Sequence, residues 1–302
     1  MKIKLLILSL FTSFTLLSQE TLIQSKTPVH LSKVPSLWKQ ISENDELKTD
    51  YQYLDELNFF LITYKSEEQL VNGILAEPKA AGTYPVVVFN RGGNKEVGKM
   101  AKIKTLYNVV FATGKLASEG YVILASCYRE NDEFGGSDIQ DVISIAKSAS
   151  EIEKADSGKI GLFGISRGGM MTYLALKESS LFTTAVVANG PTNLFRLIEE
   201  RPEMETNVCA LLIPEYSTDK KDELEKRSAI FWPNELNKES SLLILASTQD
   251  KSVNPKQAYE MTDKLKAISY DVTLKKFDTN HGFSGKRAEL SSTLTAWFGE
   301  KL

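Results

Sequence analysis

Lys159-Ile160-Gly161-Leu162-Phe163-Gly164-Ile165-Ser166-Arg167-Gly168-Gly169 sets a serine between two glycines where an apolar run gives way to a helix-forming one. Residues 160–163 are short and apolar, and residues 170–177 (Met-Met-Thr-Tyr-Leu-Ala-Leu-Lys) have helical composition, so the serine falls at a strand-to-helix turn. Such a turn is tight and strained. Glycine two residues to either side lets strand and helix approach, and the serine side chain projects clear of the backbone. Ser166 is therefore the candidate nucleophile. The Gly161-Leu162-Phe163-Gly164 spacing fails the dinucleotide fingerprint and no Walker loop occurs, so no nucleotide cofactor is implied.

A serine nucleophile needs a base, and the chain contains only two histidines, His30 and His281. His30 precedes every recognisable core element and reads as an exposed linker residue. His281 follows the alternating run 270–277 (Tyr-Asp-Val-Thr-Leu-Lys-Lys-Phe), a half-buried strand, and lies in the turn-like stretch Asp278-Thr279-Asn280-His281-Gly282-Phe283. The third member of such a set is a carboxylate that orients the imidazole. Asp250 comes just after the apolar run 241–246, in a loop at a strand's carboxyl end, where parallel α/β sheets carry their functional residues. Alone, Asp250 reads as a turn or cap residue before Asn254-Pro255. The chain order Ser166, Asp250, His281 is what raises the three together.

Outward from these residues the chain alternates strand and helix. Residues 86–89, 121–125, 160–163, 184–188, 242–246 and 272–277 read as strands with helical segments between them, and 288–298 as a closing helix. Such alternation predicts an α/β fold with a mostly parallel sheet covered on both faces. Residues 59–64 and 69–76 flank a turn and predict an antiparallel hairpin at the sheet edge. Residues 21–58 read as a polar, irregular arm with one amphipathic helix over 35–47. Between 189 and 237 the alternation breaks, which makes this insertion the candidate lid. Phe195, Tyr216 and Trp232 within it are candidate substrate contacts, with core packing as the competing expectation. The mixed-charge run 219–227 reads as a solvated helix face, as do Glu199, Glu200, Glu203 and Glu205. Ser137, Asp138 and Asp141 read as a capped helix start with carboxylates in its first turn.

Composition narrows the functional classes. The chain has 302 residues, 42% of them hydrophobic and 25% charged, which suits one globular domain with a substantial core. A formal charge of -3 without a basic cluster argues against a nucleic-acid partner. Two cysteines and two scattered histidines cannot assemble a typical Cys/His zinc site, so no metal is expected.

Several segments carry a family likeness. They are 86–94 (Val-Val-Val-Phe-Asn-Arg-Gly-Gly-Asn), Tyr128-Arg129, 132–142, the Ser166 turn, Arg227-Ser228-Ala229-Ile230, and the Asp250 and His281 loops. From about Phe59 to the carboxyl terminus the chain resembles the α/β-hydrolase superfamily, specifically the catalytic domain of prolyl-oligopeptidase-like serine hydrolases. The resemblance implies a serine hydrolase with the triad Ser166, Asp250 and His281, acting on peptide or ester bonds. It departs from the family in one loop: peptidases of this kind commonly carry a tyrosine before the Gly-Gly that Gly92 opens, whereas this chain has Arg91. Backbone N–H groups of Arg91 or Gly92, with that of Arg167, are then the candidate oxyanion donors. The Arg91 guanidinium is left with two fates, aiding the oxyanion or pairing structurally with a carboxylate. Too little chain precedes the core for the propeller that filters substrates in the larger relatives. A peptidase of short peptides, a carboxylesterase and a non-catalytic binding protein on the same fold all remain open.

The amino terminus adds an expectation of its own. Met1-Lys2-Ile3-Lys4 is basic and residues 5–17 are apolar and uncharged, which reads as a secretory signal peptide spanning 1–18, too short for a membrane span of about 20 residues. Export to a periplasm or the exterior follows, with an arm over 19–58 and the hydrolase domain over 59–302. In such a compartment Cys127 and Cys209 can pair. Separate burial of the two thiols is the preferred expectation.

Overall fold

The computed structural model describes residues 21–94 and 98–302; the signal-peptide reading of 1–18 lies outside them. Its strands are β1 (Ile23–Pro28), β2 (Ser42–Glu43), β3 (Glu46–Leu47), β4 (Leu57–Ser66), β5 (Gln69–Pro78), β6 (Tyr84–Asn90), β7 (Val122–Ser126), β8 (Ala155–Ile165), β9 (Thr184–Ala188), β10 (Ser241–Ser247) and β11 (Val272–Phe277). All but β2 and β3 form one nine-stranded sheet in the order β1-β4-β5-β7-β6-β8-β9-β10-β11. From β7 to β11 each neighbouring pair is parallel, while β1, β4, β5 and β7 pair antiparallel.

Burial on both faces explains the apolar runs. Consecutive strand residues point to opposite faces, so Val86 and Val88 join one core while Val87 and Phe89 join the other, and all four are fully buried. The same split sends Leu162 to one side and Phe163 to the other. The first core is capped by the helices Ile139–Lys147, Arg167–Glu178 and Lys256–Ala267 and by the insertion. The second is closed by the terminal helix Arg287–Lys301 through Leu290, Leu294 and Phe298, and by Leu37, Ile41 and Leu54 of the amino-terminal arm.

The arm corrects the sequence reading twice. Residues 23–28 form the edge strand β1 on β4, so the β4–β5 hairpin lies one strand inside the edge. Nearly every residue of β1 is exposed, which leaves no apolar alternation to signal it. The helix expected over 35–47 stops at Ile41 (Pro35–Ile41), because Asn44 and Asp45 take left-handed backbone angles and turn β2 back on β3.

Between β9 and β10 the insertion is helical, with Leu194–Glu200 and Tyr216–Lys226 as its longer pieces. Leu194, Leu197, Val208, Leu212 and Leu224 are buried in the same core as the sheet. The insertion is packed as part of the domain.

Candidate active site

Ser166 sits between β8 and the helix Arg167–Glu178 with φ 58° and ψ −126°, a backbone state that costs a non-glycine residue of order 1–3 kcal/mol. Close approach holds it there. A Cβ on Gly164 would overlap the Gly168 carbonyl oxygen, and one on Gly168 would overlap that of Asn90 at the end of β6. The Ser166 N–H donates to the Ala188 carbonyl at 2.9 Å, so the turn is tied to the end of β9. On its other side lies Gly92, where an added Cβ would stand 3.3 Å from the Ser166 Cβ. The backbone of Gly92 and the first turn of the helix, starting at Arg167, thus flank the serine.

Asp250 and His281 meet at this rim. Asp250 Oδ2 lies 2.6 Å from His281 Nδ1, and Asp250 Oδ1 accepts from the N–H groups of Ser252 (2.7 Å) and Val253 (3.0 Å). An aspartate pinned on one oxygen presents the other in a fixed direction. An ionised carboxylate can only accept, so against it Nδ1 is the donor of this contact and Nε2 the acceptor side of the ring. The carboxylate is buried while the imidazole keeps 26% of its surface open. The two loops are also joined through their backbones, Thr248 N–H to Phe277 O at 2.8 Å and Gln249 N–H to Thr279 O at 3.0 Å. Phe283, stacked edge-on against Phe277 at 5.2 Å, anchors the far side of the histidine loop. His30 is exposed, far along the chain at the end of β1.

Beneath the serine lies a buried charge network that the sequence reading assigned otherwise. The Arg167 guanidinium grips Asp132 with two bonds of 2.6 Å and Asp138 Oδ2 at 2.8 Å. Burial opposes its charge, but Asp132 and Asp138 more than offset that and hold its pKa above the ordinary arginine value. Asp138 does not cap the helix that follows. Its Oδ1 accepts the Gly135 and Gly136 N–H groups, folding the 132–138 loop onto Arg167. Asp141 likewise takes Arg129, at 2.7 Å, in place of the helix terminus. Neither pairing follows from local spacing, because Arg167 arrives from a distant element and Arg129 from the loop after β7, twelve residues before Asp141.

Arg91 is fully buried. Its guanidinium donates to the carbonyls of Cys127 (2.8 Å) and Gly92 (3.2 Å) and lies 4.8 Å from the Tyr128 ring, whose other neighbour at 4.8 Å is Arg167. The contacts described for its guanidinium are thus main-chain carbonyls and an aromatic face in the interior, and the backbone of this loop is what lies beside Ser166.

The insertion's aromatic residues divide. Tyr216 and Trp232 are buried, the first donating to Glu205 (3.0 Å) and the second to the Glu225 carbonyl (2.9 Å), so both serve the insertion's own core. Phe195 packs at the core's margin, edge-on to the half-exposed Phe231. A cavity of about 340 Å³ opens beside Asp250, between Glu200 and Arg201 of the insertion and Lys251, Ser252, Asn254 and Pro255 of the loop. Its lining is polar and charged, unlike the aromatic pocket expected. Glu200, Glu203 and Glu205 are occupied by Arg196, Arg201 and Lys220. Along 219–227 the charges do face solvent except Glu223 and Arg227, a buried pair at 2.6 Å. Arg227 also donates to the carbonyls of Glu133 and Phe134, clasping the insertion to the loop that holds Arg167.

Comparison with known proteins bears directly on this arrangement. The sequence profile described as Peptidase_S9, the prolyl oligopeptidase family, matches residues 127–302, the stretch that contains the Ser166, Asp250 and His281 loops. The chain belongs to the prolyl oligopeptidase family. It is a serine hydrolase, of the peptidase or esterase kind, with the α/β-hydrolase fold. It is 26% identical over 252 residues to the uncharacterized peptidase YtmA of Bacillus subtilis (strain 168), covering 80% of this chain and 93% of that protein. In fold it is similar to the acylaminoacyl peptidase of Pyrococcus horikoshii, with a TM-score of 0.66 at 22% identity over 82% of this chain and 42% of that one. This prolyl oligopeptidase family member thus spans about two fifths of the length of that larger peptidase. It is also similar to the acetyl xylan esterase of Paenibacillus sp. R4, with a TM-score of 0.60 at 17% identity over 85% and 88% of the two chains.

Proposed function

We propose that the protein is an exported hydrolase that cleaves short peptide or aminoacyl bonds through an acyl-enzyme on Ser166. The observation that carries this reading is the 2.6 Å contact between Asp250 and His281 Nδ1 on the same sheet rim as a serine held at φ 58°. His281 Nε2 takes the Ser166 proton, the freed oxygen attacks the substrate carbonyl, and Asp250 stabilises the imidazolium. The N–H groups of Gly92 and Arg167 receive the developing oxyanion, each worth about 10²- to 10³-fold in rate, with the positive end of the Arg167–Glu178 helix behind them. Imidazolium then protonates the leaving group. Water, deprotonated by the same Nε2, releases the acyl group. No cofactor enters any step.

A fluorophosphonate probe tests the nucleophile: wild type labels and Ser166→Ala does not. Labelling that survives the substitution defeats the assignment. A second reading, a carboxylesterase acting on small or carbohydrate-linked esters, uses the same machinery and draws support from the esterase of nearly equal length that shares the fold. A parallel panel of aminoacyl amides and short-chain aryl esters separates the two. Higher kcat/KM on the amides favours the peptidase, and turnover of esters alone overturns it. Export rests on the basic and apolar residues 1–17; a secreted form that begins after about residue 18, read by mass spectrometry of its amino terminus, is the expected product, and an uncleaved intracellular chain would refute it.

A further inference from the structure

Asn189 stands where the loops of the site converge, and the mechanism above gives it no part. It follows β9, is 5% exposed, and takes a left-handed backbone angle, φ 50°, that asparagine tolerates better than other side chains except glycine. Its backbone N–H donates to the Leu245 carbonyl of β10 at 2.9 Å. Its amide then reaches in two directions. Oδ1 accepts from the Ser247 N–H at 2.8 Å, while Nδ2 donates to the Ser247 Oγ at 2.9 Å and to the backbone carbonyl of His281 at 3.0 Å. The residue before it, Ala188, supplies the carbonyl that holds the Ser166 N–H.

One side chain therefore joins the strand that leads to Asp250 with the main chain of His281, on a segment whose preceding carbonyl fixes Ser166. His281 lies in a loop and keeps part of its surface open, so its ring depends on its backbone being held. Asn280 Oδ1 accepts from the Gly282 and Ser284 N–H groups and Thr279 Oγ1 donates to the Ser284 carbonyl, bracing the turn on either side of His281, and the Asn189 amide adds a bond to the His281 main chain itself. We infer that Asn189 is a positioning residue: its amide N–H to the His281 carbonyl holds the imidazole in register with Asp250 and Ser166. The inference rests on the serine-hydrolase reading of these three residues.

Three substitutions separate the amide's tasks. Asn189→Asp keeps an acceptor for the Ser247 N–H but sets a carboxylate against the His281 carbonyl, and Asn189→Gly keeps the backbone angle while deleting the amide. Ser247→Ala removes the strand-side hydroxyl and leaves the His281 bond intact. Small misplacement of a catalytic group costs up to about 10²-fold, so both Asn189 variants are expected to lose about 10- to 10²-fold in kcat and in fluorophosphonate labelling rate, with KM within about twofold. Ser247→Ala is expected to lower Tm and leave the rates within about twofold. The second readout needs no turnover: the low-field proton resonance of the short Nδ1–H to Asp250 contact is expected in wild type and in Ser247→Ala, and shifted or broadened away in Asn189→Asp. Asn189→Asp with wild-type labelling and an unchanged resonance overturns the inference, as does Ser247→Ala slowing the enzyme equally. If wild type itself fails to label, the serine-hydrolase reading falls, and the resonance in Asn189→Asp still decides whether Asn189 positions His281.

Discussion

The rim around Ser166 and the insertion between β9 and β10 are both buried against the same sheet, yet they are built by different means. At the rim, backbones touch at Gly164 and Gly168 with no room for a methyl group, and Arg167 is locked between two buried aspartates. In the insertion, aliphatic and aromatic side chains pack into the core while most charges pair at the surface, as Lys220 does with Glu205 and Lys221 with Glu225; the buried pair Glu223–Arg227 sits where the insertion meets the loop that holds Arg167. Buried ion pairs are a costly way to gain stability, but they fix direction, and breaking one leaves an uncompensated charge. Apolar packing tolerates adjustment. Directional contacts thus concentrate around the Ser166 turn, and apolar packing carries most of the insertion.

That contrast yields a ranked set of outcomes. Ser166→Ala should remove about 10⁴-fold or more of turnover with Tm nearly unchanged, which ties the rim's geometry to chemistry; a large fall in Tm would make the serine structural instead. Asp250→Asn should follow closely, with about 10⁴-fold loss in kcat in a folded protein, because an amide no longer selects the Nδ1–H tautomer of His281. Next come the supports. Arg167→Met should cost about 3–5 kcal/mol in denaturant unfolding, since it strands Asp132 and Asp138 together in the interior. A loss below about 1 kcal/mol would erase the distinction drawn between the two regions.

The insertion should give the small effects. Lys220→Ala removes an exposed partner of Glu205 and should change stability by no more than about 1 kcal/mol. The two free thiols sharpen the comparison last, since Cys127 lies on the rim side and Cys209 in the insertion. Burial raises both pKa values, that of Cys209 to about 11, so each is the neutral thiol across the neutral range and only becomes thiolate as pH climbs past its raised value. Thiolate at Cys209 is then about one part in a thousand at pH 8. Alkylation of the native protein at pH 8 is expected to spare both. Selective reaction of Cys209, mapped by mass spectrometry, would show that the insertion opens while the rim stays shut.

What was legible in the sequence follows from range. The elbow could be read because its requirements are local, a short apolar strand, a serine flanked by glycines, and a helix-forming segment within a few residues. Asp250 and His281 could be read as strand-end residues in a given order, with so few histidines to choose from. The pairing of Asp132 and Asp138 with Arg167 could not, since acidic residues near a helix start look the same whether they face the helix terminus or a distant guanidinium. Strand β1 was hidden for a related reason: a polar edge strand owes its state to the partner it pairs with. Asn189 carried no signal beyond a polar residue after a strand. Tyr216 and Trp232 were left open between pocket and core for a similar reason, since aromatic residues in an insertion look alike whether they line a pocket or fill a core.

The sequence by itself determined the strand and helix alternation, the strained serine turn and the order of the three candidate catalytic residues, because periodicity and turn chemistry act over a few residues. Only the tertiary structure decided that Asp250 reaches His281, that Arg167 is clamped from below, that Arg91 turns inward and that Asn189 spans two loops. Those contacts join residues tens of positions apart, and a hydrogen bond or ion pair of that span exists only once the sheet has set its strands in register.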